Sequence, residues 1–290
     1  GAVEQSVDQQ VDELAEVIVE QRGRVHAFAP FDPKDDDEGN RHALDRALEA
    51  VRHRGFLGVK LYPSHGFRAS HNAGAPGPDG RPLGVELGGR YDEALDLLFQ
   101  ACARHDIPIT THAASGGAIA HPAMVDNAHP RHWDTVLRRY PLRLNLAHLG
   151  GYWHVGHDGW SWADAIAARM RDHEHVYADL SFQLIFTAAR KRMRRRHRDG
   201  LRRLVEDPGG LGDRLLYGSD WHMFAAGRKT DRYDQRMREH LVRAMGDRAT
   251  DAVMAGNALR FLGLWDGRPR RRLQRFYAAH GIPLPSWWPA

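Results

Sequence analysis

The chain has one cysteine, Cys102, and four lysines, Lys34, Lys60, Lys191 and Lys229. A single cysteine excludes an internal disulfide and a cysteine-based metal cluster. It fits a reducing compartment, and a cytoplasmic location is the expectation. Nearly all the positive charge falls to arginine, which reads as codon bias. No apolar run approaches the roughly 18 residues that a membrane-crossing helix needs, so no membrane partner is expected. No G-x-G-x-x-G follows a strand-like run, which removes the usual dinucleotide fingerprint. No repeat of fixed period occurs, which argues against a solenoid. The chain opens on Gly1 rather than Met, so the lack of a leader segment carries no weight.

What is present is the composition of a globular protein. The 290 residues are 42% hydrophobic and 27% charged, with a formal net charge of +4. As one domain this length lies near the upper end of common sizes. One run is densely basic: RKRMRRRHR, residues 190–198. It reads either as a phosphate-binding patch or as the solvated face of a helix whose buried side carries Met193 and Leu201. No aromatic interleaving accompanies it, which favours the helix and makes nucleic acid an unexpected partner.

Apolar periodicity switches back and forth along the chain. Residues 7–21 place Val7, Val11, Leu14, Val17 and Ile18 on one helical face. Residues 38–54 form a second helix with Ala43, Leu44, Ala47, Leu48 and Val51 inward. Further helices are expected over 91–105, 131–140, 161–172 (with Ser161 as N-cap), the arginine-rich stretch, 231–245 and 251–264. Between them lie six strand-like runs, at 24–32, 56–63, 107–113, 142–151, 175–182 and 214–222. Strands alternating with helices predict parallel βαβ units. The polar residues Lys60, His112, His148, Asp179 and Asp220 recur at the C-terminal ends of these runs. A barrel places its chemistry there, so the fold class is α/β, a TIM-like (β/α) barrel. A closed barrel of this type has about eight strands. The first two strands are therefore expected to precede Gly1, with residues 1–265 as an incomplete barrel and 266–290 as a C-terminal extension packed on it.

Period-2 alternation puts His112 in line with Pro108 and Thr110, His148 with Leu144 and Leu146, and Asp220 with Leu216 and Gly218. Two imidazoles and a carboxylate from three strand ends would make a nitrogen and oxygen site for a divalent metal, zinc first and manganese second. Each residue alone reads as structural: a hydrogen-bonded histidine, or a Gly-Ser-Asp turn. The combination carries the inference.

The stretches GVKLYP, PITTHA, LNLAHLGG, VYADLSF, LLYGSDW and MAGNALRFLGL, spread over about residues 20–265, resemble the amidohydrolase superfamily. Within it they are most similar to the amidohydrolase-related family of metal-dependent hydrolases and decarboxylases. The resemblance implies that His112 binds metal. It implies that His148 polarises the substrate or binds a second metal, and that Asp220 touches the metal and takes a proton from the attacking water. Lys60 resembles a lysine that some members carbamylate to bridge two metals; its alternative is an ion pair with Asp220 or Asp179. The His-x-His pair that the family carries at its first strand has no counterpart here. His26, the nearest histidine, lies at the start of its strand, the wrong end for the site. The chain as written is therefore expected to be a fragment of a longer enzyme, with weak metal binding or none.

Two loops are expected to shape the pocket. Residues 64–90 offer Arg68, His65 and His71 to a carboxylate substrate, or else face solvent. Residues 151–162 offer Tyr152 and Trp153, with His154, His157 and Trp160, as an aromatic lid, or else pack in the core. Three readings result, all with a small-molecule substrate except the last. The first is a hydrolase of amide, ester or lactone bonds. The second is a nonoxidative decarboxylase using Arg68 as carboxylate clamp. The third is a silent fold or basic binding module. A homo-oligomer is compatible with each.

Overall fold

The computed structural model describes residues 5–36, 41–117, 119–151, 159–182, 191–221 and 232–288. Six strands, β1 (Phe28–Pro30), β2 (Gly58–Leu61), β3 (Ile109–Ala114), β4 (Leu144–Gly150), β5 (Val176–Asp179) and β6 (Leu215–Leu216), pair in sequence order. Every pairing is parallel. The six strand-like runs of the sequence thus each supply one strand, and the α/β barrel-type arrangement is as expected. All four residues of β5 are buried, and six of the seven in β4. Both faces of the sheet are covered, as parallel sheets with crossover helices require.

The helices explain the covering. Helix α1 (Val7–Glu20) starts with a capping box: Gln9 N–H donates to Ser6 Oγ, and Ser6 N–H donates to Gln9 Oε1. Its buried stripe is Val11, Ala15 and Ile18, while Leu14 and Val17 are exposed. The buried face therefore lies a fraction of a turn away from the expected one. Helix α2 (His42–His53) buries Ala43, Leu44, Ala47, Leu48 and Val51 as its periodicity dictates.

Helix α3 (Gly84–His105) begins seven residues before the expected 91. Its third turn carries Asp92, whose carboxylate accepts from the backbone N–H and side-chain amide of Asn72 at 3.1 and 2.8 Å. In the added turns Gly88 packs directly on the same segment, since a Cβ there would lie 2.3 Å from the Ala73 nitrogen, so the glycines that read locally as a loop serve close approach of the helix. Helix α4 (Asp134–Arg139) is short, and α5 (Gly159–Asp172) starts two residues before Ser161, which is therefore inside the helix and not its cap. Helix α6 (Lys191–Val205) carries the basic run, and α7 (Tyr233–Asp251), α8 (Asn257–Phe261) and α9 (Gly267–Ala279) complete the chain.

One large core unites the strands and helices. Leu273, Phe276 and Tyr277 of α9 belong to it. Tyr277 Oη lies 2.7 Å from His26 Nε2, and His26 Nδ1 lies 2.8 Å from the carbonyl of Gly55. His26 is thus held at the end of the sheet remote from the site, where its position in the sequence put it.

Candidate active site

The C-terminal ends of β2, β3, β4, β5 and β6 meet on one face. His112 lies in β3 just before an irregularity, where pairing passes from His112 with Ala147 to Ala114 with Gly150. Its ring is buried and stacks on Tyr62, the residue after β2, at 4.5 Å between centroids and 16°. The His148 ring stands edge-on to it at 4.9 Å. Two sequence-distant histidines are thus brought together as expected.

His112 Nε2 lies 2.6 Å from the carbonyl of Gly116. A carbonyl only accepts, so Nε2 carries the proton and Nδ1 presents its lone pair. That Nδ1 is buried and has no hydrogen-bond partner. Burial, then the charges of His148 and Lys60, push the His112 imidazole down to about 3. A neutral ring with an unused nitrogen beside a second imidazole is the donor chemistry a divalent cation selects.

His148 leaves β4 with φ +67° and is followed by Leu149 at +44°. Its backbone N–H donates to Asp179 Oδ1 at 3.0 Å, and its Nδ1 lies 2.7 Å from Ser181 Oγ. Burial lowers its pKa and Lys60 adds to this, while Asp179 and Asp220 oppose. Asp179 is the hub of the strand ends. It also accepts from Asn145 Nδ2 at 2.7 Å, from Ser181 N–H at 3.0 Å and from Ser181 Oγ. Burial alone would raise its carboxyl; the His148 ring and these hydrogen bonds outweigh it and hold the carboxyl below its ordinary value.

Asp220 lies beyond the end of β6, not within the strand. The segment leading to it still runs beside β5: Leu180 N–H donates to the carbonyl of Leu216, and Phe182 N–H to that of Ser219. Asp220 itself has φ +55°. Its charge reaches both His148 and Lys60. Lys60 projects from β2, 5.7 Å from the centre of the Tyr62 ring. Burial lowers its pKa against the opposing charges of Asp179 and Asp220. Among the described residues, no three histidine, cysteine or acidic side chains stand close enough together to enclose a metal. The fit to a divalent cation therefore rests on His112 Nδ1 beside His148, with Asp220 near enough for its charge to act on His148.

Arg68 is turned into the protein. Its Nε donates to Asn127 Oδ1 at 3.1 Å and its Nη2 to Asp126 Oδ2 at 3.4 Å. It ties the segment after β2 to the one after β3. His65 packs on Tyr62 at 4.4 Å, and exposed His71 contacts Thr135 Oγ1 at 3.2 Å. Tyr152 and Trp153, with His154 and His157, lie outside the described residues, as does the Trp160 side chain. Sequence reasoning missed Ser181, Asn145 and Tyr62. The signal for Ser181 was present: Asp179 and Ser181 stand two apart, which puts both side chains on one face as β5 ends.

Helix α6 buries His197, Gly200 and Leu201, and Arg195 and Arg202 pair with Asp199. The basic run is the outer face of a packed helix.

The amidohydrolase family model matches residues 1–264. No curated protein matches the sequence. Among solved structures, a TIM-barrel protein from Bordetella bronchiseptica is 18% identical with a TM-score of 0.56, covering 87% of this chain and 72% of that one. An amidohydrolase from Burkholderia multivorans with bound zinc is 15% identical, with a TM-score of 0.59 and coverage of 88% and 79%. A 5-carboxyvanillate decarboxylase from Novosphingobium aromaticivorans with bound manganese is 16% identical, with a TM-score of 0.51 and coverage of 89% and 70%. These likenesses are of fold. No described helix is long and apolar enough to cross a membrane. On the family match over most of its length, the chain belongs to the amidohydrolase family.

Proposed function

We propose that the chain is a metal-dependent hydrolase of amide, ester or lactone bonds in a small-molecule substrate. The observation that carries this is the buried, unpartnered Nδ1 of His112 beside His148. A buried acceptor without a partner costs about 1–3 kcal/mol, a cost that a bound cation would remove. His112, His148 and Asp220 would hold the metal, zinc by preference and manganese as the alternative. When bound, a divalent cation supplies Lewis acidity that polarises a carbonyl and acidifies water. Asp220 accepts the proton from the attacking water and returns it to the leaving group. Lys60 stands near the carboxylates of Asp179 and Asp220, and the burial that lowers its pKa favours the neutral amine from which a carbamate would form.

Alanine at His112 or at Asp220 is expected to cut metal-dependent kcat/KM by about 10²–10⁴, as loss of a positioned acid–base group does. Turnover of an ester and lactone panel with added Zn²⁺ or Mn²⁺ reads this directly; unchanged values would refute the assignment. The decarboxylase reading needs a free carboxylate clamp. Arg68 is spent on Asp126 and Asn127, which weighs against that role. Release of CO₂ from an aromatic acid panel, without water consumption, would reverse the preference.

A further inference from the structure

We infer that Ser181 and Asp179 are positioning residues which hold His148 in its Nδ1–H form, so that Nε2 is the nitrogen offered to the site. The inference deepens the reading above, since it matters only if His148 works there.

Counting donors and acceptors leads to it. Asp179 Oδ1 receives the backbone N–H groups of His148 and Ser181, each at 3.0 Å. Asp179 Oδ2 receives the Asn145 amide at 2.7 Å. Three N–H donors converge on the two oxygens, the pattern that favours an ionised carboxylate, which accepts only. Ser181 Oγ, which also contacts Oδ1, must therefore spend its single hydrogen there. The same oxygen can also accept. The 2.7 Å contact to His148 Nδ1 is then Nδ1–H donating to Oγ, and the lone pair of the neutral ring sits on Nε2.

Free neutral histidine favours the opposite form, with the proton on Nε2, so the relay overrides an intrinsic preference. The same carboxylate fixes the backbone. His148 and Leu149 stand at positive φ, and the hydrogen bond from His148 N–H to Asp179 holds the turn that aims the ring. Hydrogen bonds from the remote nitrogen commonly fix the tautomer of a working imidazole. Here a hydroxyl stands between ring and carboxylate.

The test is a nitrogen spectrum of the metal-free, ¹⁵N-histidine-labelled protein at mildly alkaline pH. The His148 signals are assigned by their loss in His148→Gln. The parent protein is expected to show Nδ1–H. Ser181→Ala is expected to shift His148 toward Nε2–H, and Ser181→Thr to restore the parent pattern. Zinc affinity, titrated separately, should fall about 10–100-fold in Ser181→Ala and recover in Ser181→Thr. An Nε2–H signal in the parent overturns the inference, and this arm requires no Ser181 variant to fold. An unchanged Nδ1–H signal in folded Ser181→Ala overturns it equally. If zinc fails to bind but the tautomer moves as stated, positioning stands and the metal reading falls. If zinc binds while the parent shows Nε2–H, the metal reading stands and positioning falls.

Discussion

Non-glycine residues in left-handed backbone stand near three strand ends: His148 within β4, Phe182 after β5 at φ +54°, and Asp220 after β6. Such residues cost on the order of 1–3 kcal/mol each and persist where surrounding contacts over-determine them. Gly218 shows how tightly those contacts are drawn. A Cβ at this position would lie 2.7 Å from the Cβ of Ser181. Gly218→Ala is therefore expected to destabilise the protein by about 1–3 kcal/mol, the usual cost of overpacking, and to displace Ser181. Urea unfolding measures the first effect. Ser181→Gly removes the opposing atom, so the double variant should be more stable than the sum of the single changes predicts. Strict additivity would show that the two residues do not press on one another. His112 and His148 were legible in the sequence because each ends an apolar run with a chemically distinctive side chain. Ser181 was legible only in part: its spacing from Asp179 put both on one face, but its partner ring lies in another strand.

Helices α6 and α7 are joined by a pair of buried histidines, His197 Nδ1 lying 2.9 Å from His240 Nε2. One ring must donate and the other accept, so at least the accepting ring is neutral. Burial, then Arg198, Arg243 and Arg194, push His240 down to about 3. Burial, then His240 and Arg198, hold His197 well below its ordinary value. In the unfolded chain both titrate near 6.5. Below that pH the unfolded state gains protons that the folded state refuses, so stability falls as pH drops from about 6.5 toward 3. Urea midpoints at pH 7 and pH 5 should show the loss. A His197→Leu/His240→Leu variant should flatten that slope; an unaltered slope would place its origin elsewhere. The run RKRMRRRHR announced a helix and its solvated side, and α6 confirms both. It did not announce that the one histidine in the run is buried, because the partner that makes burial tolerable is 43 positions away.

Strand order was legible throughout, since each strand is apolar and each is followed by a helix or a helical segment before the next. What joins the two edges of the sheet was not. Among the described residues β1 and β6 do not pair with one another. Instead, Phe261 of α8 packs with Tyr177 and Leu216 in a small cluster apart from the main core, and Phe28 of β1 stacks on it at 6.5 Å and 4°. The Tyr177 ring lies 5.2 Å away on the β5 side. The apolar run NALRFLGL foretells a helix, but its periodicity carries no information about which strands it bridges. One buried phenylalanine thus spans the two ends of the six-stranded order. Phe261→Ala should cost about 3–5 kcal/mol, the range for large-to-small changes in a core. If the residue works as a bridge, the loss will not be uniform. Backbone hydrogen exchange should rise most at Phe28 and Ala29 and at Leu215–Tyr217, and least in β3, which lies inside the sheet. Equal acceleration in all six strands would mean that Phe261 contributes burial alone and does not tie the edges of the sheet together.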